Sequence, residues 1–421
     1  MAIALLPALG IPAPVLVAGP VPAARRFVFD PASLAEDATR ITPDEAFDPA
    51  RGCGFDLGTR PGAGNRPFYF SVAVPEGTYE VTATLGGGDS ASDTTVRAEC
   101  RQLLLEHVVT RPGLAETRRF LVNVRTPRLP PPPRHAPGGT AVVLGEREAG
   151  WLRWDDKLTL EFDGPAPRVA ALEIRPVDAP VVYLAGDSTV TDQPAEPGAS
   201  WGQMLPRFLP GVAVANHAES GETLKSFLTE LRLAKVLSRI RPGDYLFIQF
   251  GHNDEKANWP QTYAEARTTF SAYLRAYLAE ARLRGAIPVL VTPIQRRVFD
   301  AAGHIRNTHG DYPEAIREVA AAEHVPLLDL ARLSATLYES LGPSRAPLAF
   351  SDGGRDLTHT NNYGAYELAQ CVVQAIRDSR LPLAAQVAAD FRGFDPARPD
   401  PPEMFALPPS LDHAFVMPRG N

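Results

Sequence analysis

The stretch VVYLAGDSTV, residues 181–190, places an unbroken apolar run of strand length directly before a small polar turn. Apolar runs of the same kind recur along the chain at 212–215, 245–250, 287–291 and 325–330. Such runs suit strands that are buried on both faces of a parallel sheet. Apolar residues at helical spacing fill the intervals at 224–240, 263–284, 313–323 and 363–376. Alternating strands and helices over residues 179–380 therefore predict a three-layer α/β/α sandwich with a parallel sheet.

The preceding part of the chain, residues 25–178, has a different pattern of short segments rich in β-forming residues. The predicted strands lie at 67–74, 78–84, 94–99, 119–124, 158–162 and 170–174. Turn-forming sequences separate them, among them Asp163-Gly164-Pro165. Several short strands at this spacing predict an antiparallel β-sandwich domain ahead of the α/β domain.

The two ends of the chain differ in composition from both of these regions. Residues 1–24 are apolar but lack a basic start, and Pro7, Pro12 and Pro14 interrupt them, which suits a secretion-signal remnant or a leader better than a membrane-spanning helix. This leader favours a secreted or periplasmic location over a cytoplasmic one. Residues 381–421 form a Pro-rich tail, and no later stretch is long and apolar enough to span a membrane.

The overall composition excludes several classes of partner. The 421 residues include 42 Lys and Arg against 49 Asp and Glu, and the formal charge of −7 argues against nucleic acid or an anionic membrane. Of the three cysteines, Cys53 and Cys100 leave two alternatives open, a disulfide or free thiols. No paired Cys/His pattern occurs, and His304 and His309 are predicted to be solvated, so neither a metal nor an organic cofactor is predicted.

Polar segments follow the predicted strands at the edge of the sheet where ligands bind in open α/β folds. These segments are GDST at 186–189, NHAESG at 216–221, GHND at 251–254 and, before the last helix, DLTHTN at 356–361. They contain the residue types that ester hydrolysis needs: a nucleophile, a base, a group that orients the base, and donors for the oxyanion. The sequence therefore predicts a hydrolytic site at this edge.

The five candidate site residues are assigned by chemical type and position. Ser188 is the predicted nucleophile, His359 the base and Asp356 the group that orients it. The backbone N–H of Ser188, the backbone N–H of Gly221 and the side-chain amide of Asn253 are the predicted oxyanion donors. Each assignment has a structural alternative, since serine caps helices and asparagine and glycine occupy turns.

A second serine, Ser200, lies in the string GASWG at 198–202, which fits the GxSxG nucleophile-elbow pattern. That elbow must follow a buried strand, whereas a polar loop with two prolines precedes Ser200. Ser200 is therefore predicted to cap a helix.

The segments GDSTV, NHAESGETLKSF, FGHND and DLTHTNNYGA stand in the order of the four sequence blocks of the SGNH (GDSL-type) hydrolases, and the chain resembles the rhamnogalacturonan acetylesterase branch most. The resemblance covers about residues 180–380. It implies the SGNH fold, deacetylation of an acetylated pectin backbone, and block roles for Ser188, Gly221, Asn253 and His359, with Asp356 completing the triad. Residues 25–178 lie outside it and resemble a galactose-binding-like domain.

The predicted function is a serine esterase that removes acetyl groups from acetylated rhamnogalacturonan, with a polysaccharide or oligosaccharide as the partner. Acetylxylan or another glycan, a short-chain lipid ester and a thioester are alternative substrates. A non-catalytic carbohydrate-binding protein is the alternative from another class. The loops contain residues that suit sugars better than lipids, namely Trp201, His252, Asn258, Trp259 and Arg296.

Overall fold

The computed structural model describes residues 24–30, 37–62, 66–148 and 150–410. The predicted leader lies outside these residues except for its last position, and so does the end of the predicted tail. No helix within the described ranges is long and apolar enough to cross a bilayer. Cys53, Cys100 and Cys371 are all buried free thiols, which settles the alternative that the sequence left open.

The N-terminal unit, residues 25–176, contains two five-stranded sheets. The strand orders are β2-β1-β10-β5-β8 and β3-β4-β9-β6-β7, and all neighbouring pairs are antiparallel except β1 with β2. The ten strands are β1 Arg25–Val28, β2 Thr39–Arg40, β3 Cys53–Asp56, β4 Phe68–Ala73, β5 Gly77–Gly86, β6 Ser92–Ala98, β7 Gln102–Thr110, β8 Ala115–Val124, β9 Lys157–Ala166 and β10 Val169–Pro176.

One hydrophobic cluster joins the two sheets of the N-terminal unit. It contains Val81 and Leu172 from the first sheet and Phe70 and Leu160 from the second. Burial alternates along β5, as expected for a strand with one face in a core. The assignment of residues 25–178 to a galactose-binding-like sandwich domain, and with it the four-part domain division, stays a prediction.

The predicted turn at Asp163-Gly164-Pro165 is wrong, because these residues lie within β9. Gly164 has φ +125°, and a Cβ at this position would lie 2.4 Å from the Asp93 carbonyl oxygen, which is too close for any other residue. The pairing of β6 with β9 shifts register between Asp93 and Thr95. The glycine therefore forms a bulge inside a continuous strand, where the sequence pattern resembles a turn.

The second unit contains one parallel five-stranded sheet in the order β12-β11-β13-β14-β15, which confirms the predicted α/β fold with a parallel sheet. Its strands are β11 Val181–Gly186, β12 Ala213–Asn216, β13 Tyr245–Gln249, β14 Ile287–Val291 and β15 Leu327–Leu328. Its α-helices are α1 Trp201–Met204, α2 Leu224–Thr229, α3 Arg232–Leu237, α4 Ser271–Leu283, α5 Tyr312–Glu323, α6 Leu330–Arg345, α7 Ser351–Gly354 and α8 Asn362–Asp378.

Hydrophobic clusters cover both faces of the parallel sheet. Val182 and Leu184 of β11 enter a cluster that includes residues of α1, α6 and α8. Tyr183 and Ala185 of the same strand enter another cluster with residues of α2, α3, α4 and α5. The single helix predicted at 224–240 is instead two, α2 and α3, because Leu231 between them adopts a left-handed conformation with φ +64°. The helix α6 was not predicted.

Candidate active site

The predicted nucleophile Ser188 lies in a tight turn directly after β11. Asp187 forms this turn: its Oδ1 accepts from the N–H of Thr189 at 2.9 Å and from the Thr189 hydroxyl at 2.8 Å. The Asp187 carbonyl oxygen also accepts from the N–H of Val190 at 3.0 Å. Ser188 itself is 8% exposed, so its hydroxyl lies at the surface of an otherwise buried turn.

Ser188, His359 and Asp356 form a continuous hydrogen-bonded chain. The Oγ of Ser188 lies 2.9 Å from His359 Nε2, and His359 Nδ1 lies 2.8 Å from Asp356 Oδ2. The other carboxylate oxygen, Asp356 Oδ1, accepts from the N–H groups of Thr358 at 2.7 Å and His359 at 2.9 Å. The structure thus brings together three residues that the sequence separates by up to 171 positions.

The carboxyl group of Asp356 favours its charged form. Burial opposes ionisation, but the N–H groups of His359 and Thr358 and the His359 ring outweigh it and lower the pKa of Asp356 below its usual value. A charged Asp356 accepts a hydrogen bond from the Nδ1–H of His359, which keeps the ring proton on Nδ1 and leaves Nε2 able to accept the hydroxyl proton of Ser188.

The loop that contains Gly221 lies beside the predicted amide donor Asn253. Gly221 has φ +89°, a conformation that favours glycine, and no neighbouring heavy atom lies within 4 Å of where its Cβ would be. Within the described ranges, neither the Gly221 N–H nor the Ser188 N–H donates a hydrogen bond. Both N–H groups are therefore available to a ligand.

The orientation of the Asn253 amide is fixed by its neighbours. Asn253 Nδ2 donates to the Glu222 carbonyl at 3.0 Å, and Lys256 Nζ donates to Asn253 Oδ1 at 2.7 Å. An ammonium can only donate and a carbonyl can only accept, so the oxygen and nitrogen of the amide cannot exchange places. One N–H of the amide remains after these contacts, next to the loop of Gly221.

An exposed aromatic ring and a cation lie next to Asn253. Trp259 is 40% exposed, and Lys256 Nζ lies 3.9 Å from the centre of its ring. No carboxylate in the described part of the chain lies within ion-pairing distance of Lys256. The rim of the site thus presents a positive charge and an apolar ring face.

Three residues that were expected to be accessible are buried, and one of them, His252, is 2% exposed although it was expected to suit a sugar. Trp201 was expected to suit a sugar, but it is fully buried and its Nε1 donates to Gln249 Oε1 at 3.0 Å. His309 was expected to be solvated, but it is 1% exposed and its ring lies 2.9 Å from both Glu255 Oε2 and the Ile294 carbonyl. Ser200 caps α1 as predicted, accepting from the Gln203 N–H.

The rings of His252 and His309 are in contact with each other. Their ring centres are 4.4 Å apart in an edge-to-face arrangement. Burial, with the Arg296 charge nearby, lowers the pKa of His252 well below its usual value, so this ring is neutral. Within the described residues no group of three or more His, Cys, Asp or Glu side chains suits a metal ion.

Sequence reasoning missed the buried charges that the N-terminal unit contributes near the site. Arg153 is 1% exposed, and its Nη1 donates to Thr191 Oγ1 at 2.5 Å and to the Asp192 carbonyl at 3.3 Å. Arg153 also forms an ion pair with Glu219, two positions before Gly221. The dense charge of EREAGWLR at 146–153, unusual in a region of β pattern, is the signal in the sequence.

The chain was compared with families and proteins of known sequence. The model of the GDSL-like lipase/acylhydrolase family matches residues 184–365. Rhamnogalacturonan acetylesterase RhgT of Bacillus subtilis (strain 168) is 42% identical over 216 residues, which are 48% of this chain and 91% of RhgT. The chain belongs to the GDSL-like lipase/acylhydrolase family. As a member of this family it is a carboxylic ester hydrolase.

Further relatives of this family member come from the same organism. The probable rhamnogalacturonan acetylesterase YesY is 40% identical over 210 residues, which are 49% of this chain and 96% of YesY. The crystal structure of YxiM is 26% identical, covers 86% of this chain and 99% of the YxiM chain, and has a TM-score of 0.48. All four sequence blocks that led to the predicted site begin inside the region that the family model matches.

Proposed function

We propose that this family member removes acetyl groups from acetylated rhamnogalacturonan by a Ser-His-Asp acyl-enzyme mechanism. The observation that carries the chemistry is the chain of contacts from Ser188 Oγ through His359 to Asp356, at 2.9 and 2.8 Å. The names of RhgT and YesY support the substrate class.

In the first half of the reaction, His359 Nε2 takes the hydroxyl proton while Ser188 Oγ attacks the carbonyl carbon of the acetyl ester. The negative charge on the former carbonyl oxygen is stabilised by the N–H groups of Ser188 and Gly221 and by the Asn253 amide. The C–O bond to the sugar then breaks, and His359 returns the proton to the departing sugar oxygen.

In the second half, His359 Nε2 takes a proton from water, whose oxygen attacks the acetyl-Ser188 carbonyl carbon. The same three donors stabilise the second oxyanion. The bond to Ser188 Oγ breaks, Oγ regains a proton from His359, and acetate leaves. This route uses side chains, the two backbone N–H groups and water.

The rim of the site supports an acidic sugar as the substrate. Rhamnogalacturonan carries galacturonate carboxylates, whereas a xylan backbone is neutral. Lys256 presents a charge without a carboxylate partner among the described residues, and the exposed face of Trp259 suits a sugar ring. Acetylxylan, a short-chain lipid ester and a thioester offer no carboxylate for this lysine.

The test compares wild type with Ser188→Ala for acetate released from acetylated rhamnogalacturonan, acetylated xylan and a short-chain chromogenic ester. Ser200→Ala is the matched control, because it removes a serine that caps a helix and lies outside the site. We expect release that is selective for rhamnogalacturonan, loss of all activity in Ser188→Ala, and retention of activity in Ser200→Ala.

Other outcomes would overturn parts of the proposal. Cleavage of the chromogenic ester without release from rhamnogalacturonan would keep the chemistry and reject the substrate. Release from xylan alone would indicate a different glycan. Undiminished activity in Ser188→Ala would reject the nucleophile.

A further inference from the structure

One segment of the N-terminal unit, residues 145–148 and 150–154, contacts the loop 219–222 that contains Gly221. Arg147 forms an ion pair with Glu219 at 2.8 Å and donates to the Ser220 carbonyl. Arg153 contacts the other oxygen of Glu219. The two residues that precede Gly221 are therefore held by arginines that come from outside the α/β unit.

Glu219 depends on these two arginines. Glu219 is 3% exposed. Apart from its ion pairs with Arg147 and Arg153, its two carboxylate oxygens have no hydrogen-bond partner in the described part of the chain. A buried carboxylate without a partner is strongly unfavourable, so the position of Glu219 follows that of Arg147 and Arg153.

Glu222, the residue after Gly221, is linked to Glu148 of the same segment through Arg232. Glu148 accepts from Arg232 Nη1 at 3.1 Å and Nη2 at 2.5 Å, and Arg232 Nε lies 3.1 Å from Glu222 Oε1. Burial opposes the ionisation of Glu148, but Arg232 outweighs it and the pKa of Glu148 falls below its usual value. Glu222 in turn provides the carbonyl that accepts from Asn253 Nδ2.

Arg153 also links the loop 219–222 to the segment that follows the nucleophile. The same guanidinium that contacts Glu219 donates to Thr191 Oγ1 and to the Asp192 carbonyl, three and four positions after Ser188. Its planar group of N–H donors can contact several acceptors at fixed angles, which a lysine cannot reproduce.

The length of RhgT indicates that this arrangement is not a requirement of the family chemistry. The match to RhgT leaves about a tenth of RhgT unaligned, since 91% of it is covered, while more than half of this chain lies outside the match. RhgT thus has too few further residues for an N-terminal unit of this size.

We propose that residues 145–148 and 150–154 of the N-terminal unit position the loop 219–222 of this esterase, with Arg153 as the positioning residue that acts through Glu219 on Gly221. This proposal rests on the proposed role of the Gly221 N–H in the reaction. It assigns the N-terminal unit a part in catalysis, in addition to any packing or glycan-binding role.

The test measures kcat and KM of Arg153→Met on a small neutral chromogenic acetate, which cannot contact the N-terminal unit through a sugar chain. We expect kcat to fall roughly 10- to 100-fold with KM within about two-fold, because a displaced oxyanion donor weakens binding of the transition state alone. Arg153→Lys restores the charge without the planar donor group and should recover only part of kcat.

The matched control is Glu106→Gln. Glu106 lies in the N-terminal unit and pairs with Arg207 of the α/β unit at 2.7 Å, so it joins the same two units away from the loop 219–222. Its kcat should stay within about two-fold of wild type. An equal loss of kcat in Glu106→Gln and Arg153→Met would overturn the proposal, because it would mean that disturbing any contact between the two units lowers kcat.

Glu219→Gln keeps the test valid if Arg153→Met does not fold. This variant preserves the size of the side chain and removes its charge, and we expect a wild-type circular dichroism spectrum with a reduced kcat. The positioning role would be overturned if Glu219→Gln and Arg153→Met both fold and keep the wild-type kcat. If Ser188→Ala is inactive in the same experiment, the proposed function remains intact. Absence of esterase activity in wild type would instead reject the proposed function.

Discussion

The two units of the molecule bury their strands differently, and the difference decides where each unit presents polar groups. Strands of the parallel sheet are covered on both faces, as the division of β11 between two clusters shows. Polar side chains therefore come together where these strands end, and Ser188 and Asn253 lie there. Strands of the N-terminal unit pack one face into a shared core. Their other faces and their loops can therefore carry charged side chains.

The charges of the N-terminal unit meet the α/β unit at a buried boundary. Arg101, Arg125 and Arg153 are each at most 2% exposed, and each donates to backbone carbonyls across the boundary. The accepting carbonyls lie after β11 or at the last residue of β12: Gln193 and Gly198 for Arg101, Asp192 for Arg153 and Asn216 for Arg125. A site made of short local motifs is therefore supported by groups that are distant in sequence.

The largest effect is expected from Asp356→Asn, which tests whether the chemistry resides in the α/β unit. The Asn oxygen would remain with the N–H groups of Thr358 and His359, because these can only donate. Its amino group would then face His359 Nδ1 and force the ring proton onto Nε2, where it cannot accept from Ser188. We expect kcat to fall roughly 10⁴-fold.

Steady-state kinetics on the chromogenic ester measures this loss. Asp352→Asn is the control, since Asp352 is an exposed residue of the same region that pairs with Arg355. A loss below about ten-fold in Asp356→Asn would contradict the proposed role of the carboxylate in setting the ring proton.

Phe70→Ala tests whether the two units are coupled. The Phe70 ring is fully buried, with ring centres of Phe27 at 5.2 Å, Phe29 at 5.0 Å and Phe55 at 5.6 Å. Its removal should lower the free energy of unfolding of the N-terminal unit by about 3–5 kcal/mol. Because boundary arginines hold the loops of the site, esterase activity should be lost on heating together with this unit.

Scanning calorimetry and activity measured over the same temperatures check this expectation. Phe29→Ala, at a half-buried position of the same cluster, should shift the transition less. Activity in Phe70→Ala that persists above the transition of the N-terminal unit would show that the units act independently.

A smaller effect on activity is expected from Asn253→Ala, which removes the proposed amide donor. We expect kcat to fall roughly 100- to 1,000-fold with KM little changed, because the donor acts on charge that develops in the transition state. Asn123→Ala makes the same change in the N-terminal unit, where Asn123 donates to Thr78 Oγ1, and should keep wild-type kinetics. Similar kinetics for the two variants would argue against the amide as an oxyanion donor.

The contacts among Ser188, His359 and Asp356 could be predicted from the sequence because each residue lies in a short polar segment with a local pattern. Ser188 follows an apolar run directly, and Asp356 and His359 lie three positions apart, so one loop carries both. The parallel sheet was likewise predictable, since strands buried on both faces leave a continuous apolar run in the sequence.

The contacts across the boundary could not be predicted, because they depend on how distant segments pack. Arg153 and Glu219 are 66 positions apart in the printed sequence, and neither has a local pattern that indicates the other. The expected exposure of Trp201 and His309 was wrong for the same reason. Each lies in a polar segment, and residues distant in sequence bury it. The strands β3 and β7 were missed, since their burial does not alternate regularly.

Each unit contains a buried carboxyl group whose pKa is raised. In the N-terminal unit, burial and the neighbouring Glu161 raise the pKa of Asp163 to about 6. In the α/β unit, burial and the charge of Asp400 raise the pKa of Glu367 to about 8. A folded-state pKa above the unfolded value means that the proton is held more tightly in the folded state.

The smallest predicted effect is a change in the pH dependence of stability in Glu367→Gln. The stabilisation from protonated Glu367 is complete below pH 4.5, the ordinary value for the group, and is lost as the pH rises through about 8. The Tm of wild type should therefore fall between pH 6 and pH 9 by about 3 °C more than that of Glu367→Gln, whose amide does not ionise. Glu403→Gln removes an exposed carboxylate paired with Arg345 and should retain the wild-type dependence. An identical fall of Tm in Glu367→Gln and wild type would mean that Glu367 does not ionise in this range.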